Sequence, residues 1–304
     1  MNIEFKNNNV ILHNIDSFNL DQTLDCGQCF RWEKLDEATA TKYFNEILPK
    51  LTDNFSENQN GNIIAYQGIA FGRALTISQQ GETIILHNCS KDDFYTIWYD
   101  YFDLATDYNT VRTQLSQLHP VLKEAQQYAP DIRILKQEPW EALCSFIISQ
   151  NNNIPRIKGI INRLCTEFGE KLSDTHYAFP NAERLSKCSL EDLAPLRSGF
   201  RAKYIIDASQ KVASKEVDLE AISKLSTADT QKELMKIKGV GPKVADCTML
   251  YGMGKKDCFP LDVWMKRAME VLFPTLSPTD FGNNAGIAQQ YIFHYSRMNP
   301  HLFV

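Results

Sequence analysis

The chain has 304 residues, which is enough for two domains with separate buried cores. Hydrophobic residues make up 43% and charged residues 23%, values that are ordinary for a globular protein. No uncharged apolar run is long enough to span a membrane, and the first residues lack the basic and apolar segments of a secretory signal peptide. These features disfavour a membrane or secreted protein and predict a cytoplasmic one.

The charged residues are unevenly distributed along the chain. The net charge is −5, but residues 1–120 carry 8 basic and 16 acidic residues, whereas the remainder carries 24 basic and 21 acidic residues. A groove lined by basic residues in the second part can therefore bind phosphates although the whole protein is acidic.

Residues 1–90 have the pattern of short strands. Segments rich in β-forming residues occur at 9–12, 62–66, 71–77 and 83–87, and Gln79-Gln80-Gly81-Glu82 predicts a turn between the last two. The segment 36–61 is polar and acidic, so we expect an insertion at the surface, with a short helix near 41–51.

From about residue 91 the apolar residues recur with a helical period. Helices are predicted at 91–99, 109–117, 118–128, 139–149, 153–168, 180–187, 190–194, 200–213, 217–223, 227–237, 242–253, 262–272 and 283–295. The fold class is therefore α+β, with an N-terminal antiparallel β domain in residues 1–120 and a larger all-α domain in residues 121–304.

The most informative motif, Ile-Lys-Gly-Val-Gly-Pro-Lys-Val-Ala-Asp-Cys, covers residues 237–247. Gly239 predicts the turn that ends one helix, and Pro242 suits the first turn of the next. The resulting hairpin, at about 232–253, would leave backbone N–H groups free to bind a phosphate. Lys243 follows, where a lysine can form an ion pair or, when uncharged, act as a nucleophile. The hairpin alone leaves non-catalytic DNA binding open.

A carboxylate follows this lysine at a distance of nineteen residues. Asp262 precedes an apolar helical run, where an aspartate most often caps the helix. A carboxylate there can also stabilise positive charge on a reacting sugar or assist proton transfer. The pair of Lys243 and Asp262 is similar to the lysine–aspartate pair of bifunctional DNA glycosylase/lyases.

Five ordered motifs extend this resemblance over nearly the whole chain. The chain resembles the 8-oxoguanine DNA glycosylases, which belong to the helix-hairpin-helix superfamily, at residues 24–32 (LDCGQCFRW), 101–104 (YFDL), 150–157 (QNNNIPRI), 199–204 (GFRAKY) and 288–289 (AQ). The resemblance implies an N-glycosylase with lyase activity on apurinic or apyrimidinic sites in base-excision repair. In this reaction the lesion leaves the duplex, and Lys243 attacks C1′ and forms a Schiff base.

By the same resemblance four residues form the lesion-base pocket. The carbonyl of Gly27 would accept the N7–H that 8-oxoguanine has and guanine lacks. Gln289 would contact the other edge of the purine, and Phe293 would stack on its ring. Cys247, one turn after Lys243, would form the opposite wall, although Phe293 and Cys247 are equally consistent with ordinary core positions.

The resemblance also assigns residues that contact the opposite base and the DNA backbone. Asn151, Arg156 and Arg201 would contact the orphaned cytosine, and guanidinium donors suit its acceptors. Phe200 would insert between bases as a wedge, at a position where relatives often have tyrosine. The residues expected at the DNA backbone are Gly239, Val240, Gly241 and Trp264. At the position of Trp264 some members of the family have a histidine that contacts a phosphate. The carbonyls of Met235, Ile237 and Val240 are a candidate site for a monovalent cation that bridges to a phosphate.

The eight cysteines are predicted to be free thiols in a reducing compartment. Cys26 and Cys29 have half-zinc-site spacing, but no second pair completes a site. No cluster of four cysteines follows the hairpin, so we expect no iron–sulfur cluster, in contrast to the endonuclease III branch. The chemistry requires no metal or other cofactor.

The expected partner is double-stranded DNA containing 8-oxoguanine opposite cytosine, bound by a monomer without a membrane. The location would be the nucleoid in a prokaryote and the nucleus in a eukaryote. Two alternatives remain: a glycosylase for alkylated bases, which would use water activated by Asp262, and a catalytically silent hairpin module. Lys243 disfavours the first, and the lysine–aspartate pair with the pocket motifs disfavours the second.

Overall fold

The N-terminal part of the protein is a six-stranded antiparallel sheet with the strand order β1-β2-β6-β5-β4-β3. The computed structural model describes residues 1–47 and 61–303. The strands are β1 Asn2–Lys6, β2 Asn9–His13, β3 Trp32–Lys34, β4 Ile64–Ala70, β5 Arg73–Gln80 and β6 Thr83–His87. The four predicted strands are thus confirmed. The sequence analysis missed β1 and β3, the two edge strands.

Strands β2 and β6 are neighbours inside the sheet and are covered on both faces, so their residues alternate between two different apolar environments. On one face Leu12 and Ile84 join the main core of the sheet. On the other face Ile11 and Ile85 pack against Phe44, which is fully buried. Phe44 belongs to helix α2, Glu37–Ile47. The described part of the predicted insertion therefore covers the sheet, and residues 48–60 lie outside the described ranges.

The remainder of the described chain is mainly helical, as predicted. The helices are α1 Leu20–Leu24, α3 Lys91–Asp93, α4 Tyr99–Tyr101, α5 Tyr108–Ser116, α6 Pro120–Tyr128, α7 Pro139–Ser149, α8 Ile154–Phe168, α9 Ala182–Leu185, α10 Ala202–Ala213, α11 Leu219–Ser223, α12 Thr227–Leu234, α13 Pro242–Met253, α14 Val263–Leu272 and α15 Ala285–Met298. A π-helical turn, Phe94–Trp98, joins α3 to α4. No helix in the described ranges is both long and apolar enough to cross a bilayer.

The helix predicted at 190–194 is wrong. Ser189 and Asp192 hydrogen-bond to each other's backbone N–H groups at 3.2 and 2.8 Å, which closes a local turn in place of a helix. A short 3₁₀ helix, Ala194–Leu196, follows with Pro195 inside it.

Helices α7 and α13 form the centre of the helical core. Residues 141–148 of α7 are all buried, as is most of α13. Gly252 allows the close approach, because a Cβ at this position would lie 2.9 Å from the Cβ of Ala142. The second helix of the predicted hairpin is therefore also a central element of the core.

The two helices of the hairpin are joined by a half-buried polar pair. The side-chain amide of Gln231 on α12 donates to Oδ1 of Asp246 on α13 at 2.6 Å. Burial raises the pKa of Asp246 to about 6, and the hydrogen bond from Gln231 only partly opposes this effect. The folded protein therefore binds this proton more tightly than the unfolded chain does.

This pKa shift predicts a pH dependence of stability. Between the ordinary carboxyl pKa of 3.8 and about 6, the folded form keeps a proton that the unfolded form loses, so the free energy of unfolding falls as pH rises through this window. Asp246→Asn removes this fall in the free energy of unfolding, because asparagine does not titrate. At pH 8 we expect the variant to be about 1–2 kcal/mol more stable than the parent, after allowance for solvent screening, and at pH 4 to be similar.

Urea denaturation of both proteins from pH 4 to pH 8 measures this difference. Asp174→Asn, at an exposed aspartate, serves as the control and should show no pH-dependent difference from the parent. A difference between Asp246→Asn and the parent that stays constant across this range would contradict the assignment.

Candidate active site

The hairpin turn between α12 and α13 requires a glycine at one position. Gly239 has φ +83°, and a Cβ there would lie 2.4 Å from Cγ of Tyr204. The turn also packs on α10 through polar contacts: the backbone N–H of Lys238 donates to Asp207 at 2.6 Å, and the amine of Lys211 donates to the carbonyl of Lys236 at 2.5 Å. The hairpin is therefore held as a fixed projection of the helical core.

The first turn of α13 has no side-chain cap. Its N-cap residue is Gly241, which has no side chain to accept a hydrogen bond, and Pro242 follows at the first helical position. The N–H groups of this turn are left for an external acceptor, and the positive end of the helix dipole favours an anion. This geometry suits the predicted phosphate contact.

Lys243 lies in this first turn and is half-buried. Its Nζ lies 5.2 Å from the centre of the Phe146 ring on α7. It also adjoins Cys247, one helical turn further along, which is 3% exposed. Burial raises the pKa of the Cys247 thiol to about 11, and the nearby Lys243 amine opposes this rise. The thiol is therefore a neutral neighbour of the amine.

Asp262 is the N-cap of α14, as predicted, and its Oδ1 accepts the N–H of Met265 at 2.7 Å. Its negative charge reaches the same thiol, since it contributes to the raised pKa of Cys247. Lys243, Cys247 and Asp262 thus share one electrostatic environment. The capping role occupies one carboxylate oxygen, Oδ1.

The N-terminal domain contributes Gly27 to the same region. Gly27 has φ +89°, and a Cβ there would lie 3.7 Å from Cδ1 of Ile154 and 3.8 Å from Nη1 of Arg297. The thiols of Cys26 and Cys29 donate to backbone carbonyls of α1, at 3.3 and 3.5 Å. Both cysteines therefore stabilise the local loop as free thiols.

The buried side chain of Gln28 fixes this loop against the segment between α6 and α7. Its amide donates to the carbonyl of Arg133 at 2.7 Å and accepts from the N–H of Leu135 at 2.9 Å. The carbonyl of Gln28 accepts from the side chain of Gln137 at 2.7 Å. Each bond joins remote parts of the chain, so the position of Gly27 depends on packing between these segments.

Helix α15 supplies Gln289 and Phe293. Gln289 is 5% exposed, and its Oε1 has no hydrogen-bond partner among the described residues. A buried acceptor without a donor costs free energy, which a ligand N–H would recover. Phe293 is half-buried against the helical core, and the guanidinium of Arg297 lies over its ring at 5.5 Å.

The three consecutive asparagines have three different roles. Asn153 caps α8 by accepting the N–H of Arg156 at 3.0 Å, and Asn152 donates to the carbonyl of Ile148 at the end of α7. Asn151 is exposed in a left-handed conformation with φ +47°. The turn therefore presents Asn151 outward and places Arg156, also exposed, one turn into α8.

Arg201 is only 2% exposed, and backbone carbonyls satisfy its donors. The guanidinium donates to the carbonyls of Gln150, Asn151 and Ser198. The charge of Arg156 also lowers the pKa of Arg201, although burial is the larger cause, so the two cations are close. The two predicted cytosine-contacting arginines therefore share a site, and in this arrangement Arg201 holds the Asn151 turn.

Phe200 is 48% exposed and projects from a 3₁₀ turn. Its ring packs on the guanidinium of Arg201 at 4.5 Å and edge-on to Tyr204 at 5.9 Å. Because Tyr204 also lies against Gly239, it links the exposed ring of Phe200 to the hairpin by packing. An apolar ring exposed beside the asparagine turn suits the predicted wedge.

Trp264 and the hairpin carbonyls lie on the flanks of this region. Trp264 is 40% exposed and packs edge-on to Phe303 at 5.6 Å. Among the three predicted cation ligands, the carbonyl of Ile237 accepts from Val240 N–H at 3.0 Å, and no described N–H group bonds to the carbonyls of Met235 or Val240. The cation site at these oxygens stays a prediction.

Sequence reasoning missed three residues of this region. Gln28 lies within one of the five motifs and Phe146 lies within a predicted helix. Their partners, however, come from distant parts of the chain. Arg297 follows Phe293 by four residues, and this helical spacing was the available signal.

Comparison with known proteins agrees with this geometry. Residues 144–280 match the family model described as "HhH-GPD superfamily base excision DNA repair protein". The helical part is thus that of a base-excision DNA repair protein. Residues 10–143 match the model described as "8-oxoguanine DNA glycosylase, N-terminal domain".

Relatives with solved structures cover nearly the whole chain. A structure of MBOgg1 in complex with a low-affinity DNA ligand has a TM-score of 0.85 and 41% identity, and the match covers 98% of this chain and 99% of that one. The 8-oxoguanine glycosylase/lyase of Clostridium acetobutylicum, bound to DNA with cytosine opposite 8-oxoguanine, has a TM-score of 0.84 and 37% identity, with 99% of each chain covered. This protein belongs to the 8-oxoguanine DNA glycosylase family.

Among curated proteins, the N-glycosylase/DNA lyase of Saccharomyces cerevisiae is 31% identical over 268 residues, which are 82% of this chain and 66% of the yeast protein. The chain spans about two thirds of the length of the curated relatives that it matches.

The two glycines of the hairpin predict a difference in stability. Gly239→Ala should lower the free energy of unfolding by about 2–4 kcal/mol, because a left-handed φ and the Tyr204 ring both oppose a Cβ. Gly241→Ala is the matched control, since its φ is −100° and a Cβ there meets no atom within 4 Å. Chemical denaturation of both variants measures the difference, and equal stabilities would refute the packing argument.

Proposed function

We propose that this protein is an 8-oxoguanine DNA N-glycosylase with lyase activity at the resulting abasic site. The observation that supports this most directly is the placement of the Lys243 amine at the uncapped start of α13, beside the neutral Cys247 thiol, which the charge of Asp262 also reaches. Excision requires a nucleophile at C1′ and a negative charge that stabilises the sugar cation. Lys243 would supply the first and Asp262 the second.

The proposed reaction begins with an uncharged Lys243 amine. Its lone pair forms a bond to C1′ while the bond from C1′ to the base nitrogen breaks, and the base leaves with the electron pair and takes up a proton. The amine then loses its proton, and opening of the sugar ring gives a Schiff base. Loss of a C2′ proton expels the 3′ phosphate by β-elimination. Asp262 stabilises the positive charge that develops on the sugar.

Lesion recognition would use Gly27 and Gln289. The carbonyl of Gly27 accepts the N7–H of 8-oxoguanine, whereas guanine presents a lone pair there, and the two acceptors repel. The buried Oε1 of Gln289 lacks a partner among the described residues and would accept a donor from the other edge of the purine. Phe293 and Cys247 would cover the two faces of the flipped ring.

The partner in this proposal is double-stranded DNA with cytosine opposite the lesion, bound by a monomer. Asn151, Arg156 and Arg201 would contact the cytosine, and Phe200 would fill the gap in the stack. Arg201 must exchange carbonyls of the Asn151 turn for cytosine acceptors to do so. The amine and the carboxylate perform the chemistry, so no cofactor is required. The enzyme would act where the DNA is, in the nucleoid or the nucleus.

Removal of the nucleophile tests this proposal. Lys243→Gln should abolish the covalent complex that borohydride traps on duplexes containing 8-oxoguanine, because an amide cannot form a Schiff base. Lys224→Gln is the control, since Lys224 is exposed and pairs with Glu220. Both residues lie at α11, away from the α13 helix that carries Lys243. A trapped complex with Lys243→Gln at the parental level would refute the assignment of the nucleophile.

The opposite-base assignment predicts a change in selectivity. Arg156→Ala should reduce excision opposite cytosine by about 5- to 150-fold relative to excision opposite adenine, because one well-placed contact to a base edge contributes about 1–3 kcal/mol of discrimination. Single-turnover rates on the two duplexes measure this ratio, with Arg184→Ala as the control. An unchanged ratio would remove Arg156 from the opposite-base site.

A further inference from the structure

Arg297 occupies a position between two walls of the predicted lesion-base pocket. Its guanidinium lies over the ring of Phe293, with Cζ 5.5 Å from the ring centre. Its Nη1 reaches towards Gly27 and lies 3.8 Å from the point that a Cβ on Gly27 would take. Neither the motifs nor the comparisons assign a role to this residue.

The side chain of Arg297 is free to leave this position. It is exposed and forms no hydrogen bond or ion pair with another described residue beyond its contact with the ring. A guanidinium is planar and stacks on aromatic faces, as a nucleobase does. An exposed contact of this kind is weak, of the order that a competing ligand can displace.

A base that stacks on Phe293 while it donates to the carbonyl of Gly27 must lie between these two residues. The guanidinium of Arg297 connects the same two residues in the absence of DNA. A base in that position would therefore compete with the guanidinium for contact with the ring.

We propose that Arg297 is a residue of the lesion-base pocket, where it occupies the place of the purine until a flipped base displaces it. This inference rests on the proposed function, because that function supplies the flipped purine. Because an entering base must displace the guanidinium, every base binds more weakly than it would without Arg297. Binding of an abasic site, which has no base to insert, is unchanged. Only a base that gains the bond to Gly27 offsets this cost readily.

The experiment compares two ligands in a catalytically inactive background. In Lys243→Gln protein, the Kd is measured for a duplex with 8-oxoguanine opposite cytosine and for the same duplex with a tetrahydrofuran abasic analogue. The ratio of the abasic Kd to the lesion Kd cancels any loss of general attraction to phosphates. Adding Arg297→Ala should raise this ratio about 2- to 5-fold, the range expected for loss of an exposed cation–π contact.

Two further variants isolate the cause. Arg184→Ala is the matched control, because Arg184 is also exposed and lies over a phenylalanine ring, Phe168 at 5.8 Å, outside the pocket. It should leave the ratio unchanged. Arg297→Lys keeps the charge and can keep a cation–π contact with the ring but lacks the planar group, so it should raise the ratio less than Arg297→Ala does.

The outcomes separate this inference from the proposed function. An unchanged or lower ratio with Arg297→Ala, or a larger rise with Arg297→Lys than with Arg297→Ala, would overturn the role of Arg297. A parent that binds 8-oxoguanine and guanine duplexes equally would instead refute the proposed lesion. The same ratio measured with guanine then still decides whether Arg297 competes with an entering purine.

Discussion

The packing of α13 against α7 is the constraint on which the site depends. Tyr251 on α13 stacks on Phe146 of α7 at 5.3 Å with the rings 20° apart, and the same Phe146 ring lies under Nζ of Lys243. Gly252 permits the two helices to approach this closely. One end of α13 is therefore fixed in the core while the other end carries the amine of Lys243, so burial of apolar area positions this amine.

The sheet domain acts on the chemistry through one loop. The bonds of Gln28 to the segment between α6 and α7 are buried, and a buried hydrogen bond is costly to leave unmade. The carbonyl of Cys26 lies 3.5 Å from the side chain of Gln290, which accepts from the hydroxyl of Tyr251 at 2.7 Å. The loop that carries Gly27 is thus connected to both α15 and α13. Gly27, the proposed lesion-recognition residue, and Lys243, the proposed nucleophile, are therefore parts of one packed unit.

The sequence predicted the features whose causes are local. Helix α13 and its turn follow from Gly239, Pro242 and the apolar run, and α7 follows from its continuous apolar residues. Edge strands β1 and β3 were missed because they are short and partly polar, and only pairing with a neighbour defines them. The motifs predicted the types of residue at the site. They could not predict that the buried guanidinium of Arg201 donates to three backbone carbonyls, or that Arg297 reaches Gly27. Both features depend on contacts between remote segments.

The carbonyl contacts of Arg201 have a consequence for how the protein samples DNA. The turn that carries Asn151 is held in its left-handed conformation before any duplex arrives. The entropy of ordering that turn is lost when the chain folds, and in the proposed complex the turn keeps this order until Arg201 exchanges its carbonyls for the cytosine. For each base pair inspected before that exchange, the energetic cost would then fall mainly on the duplex, as the loss of base stacking.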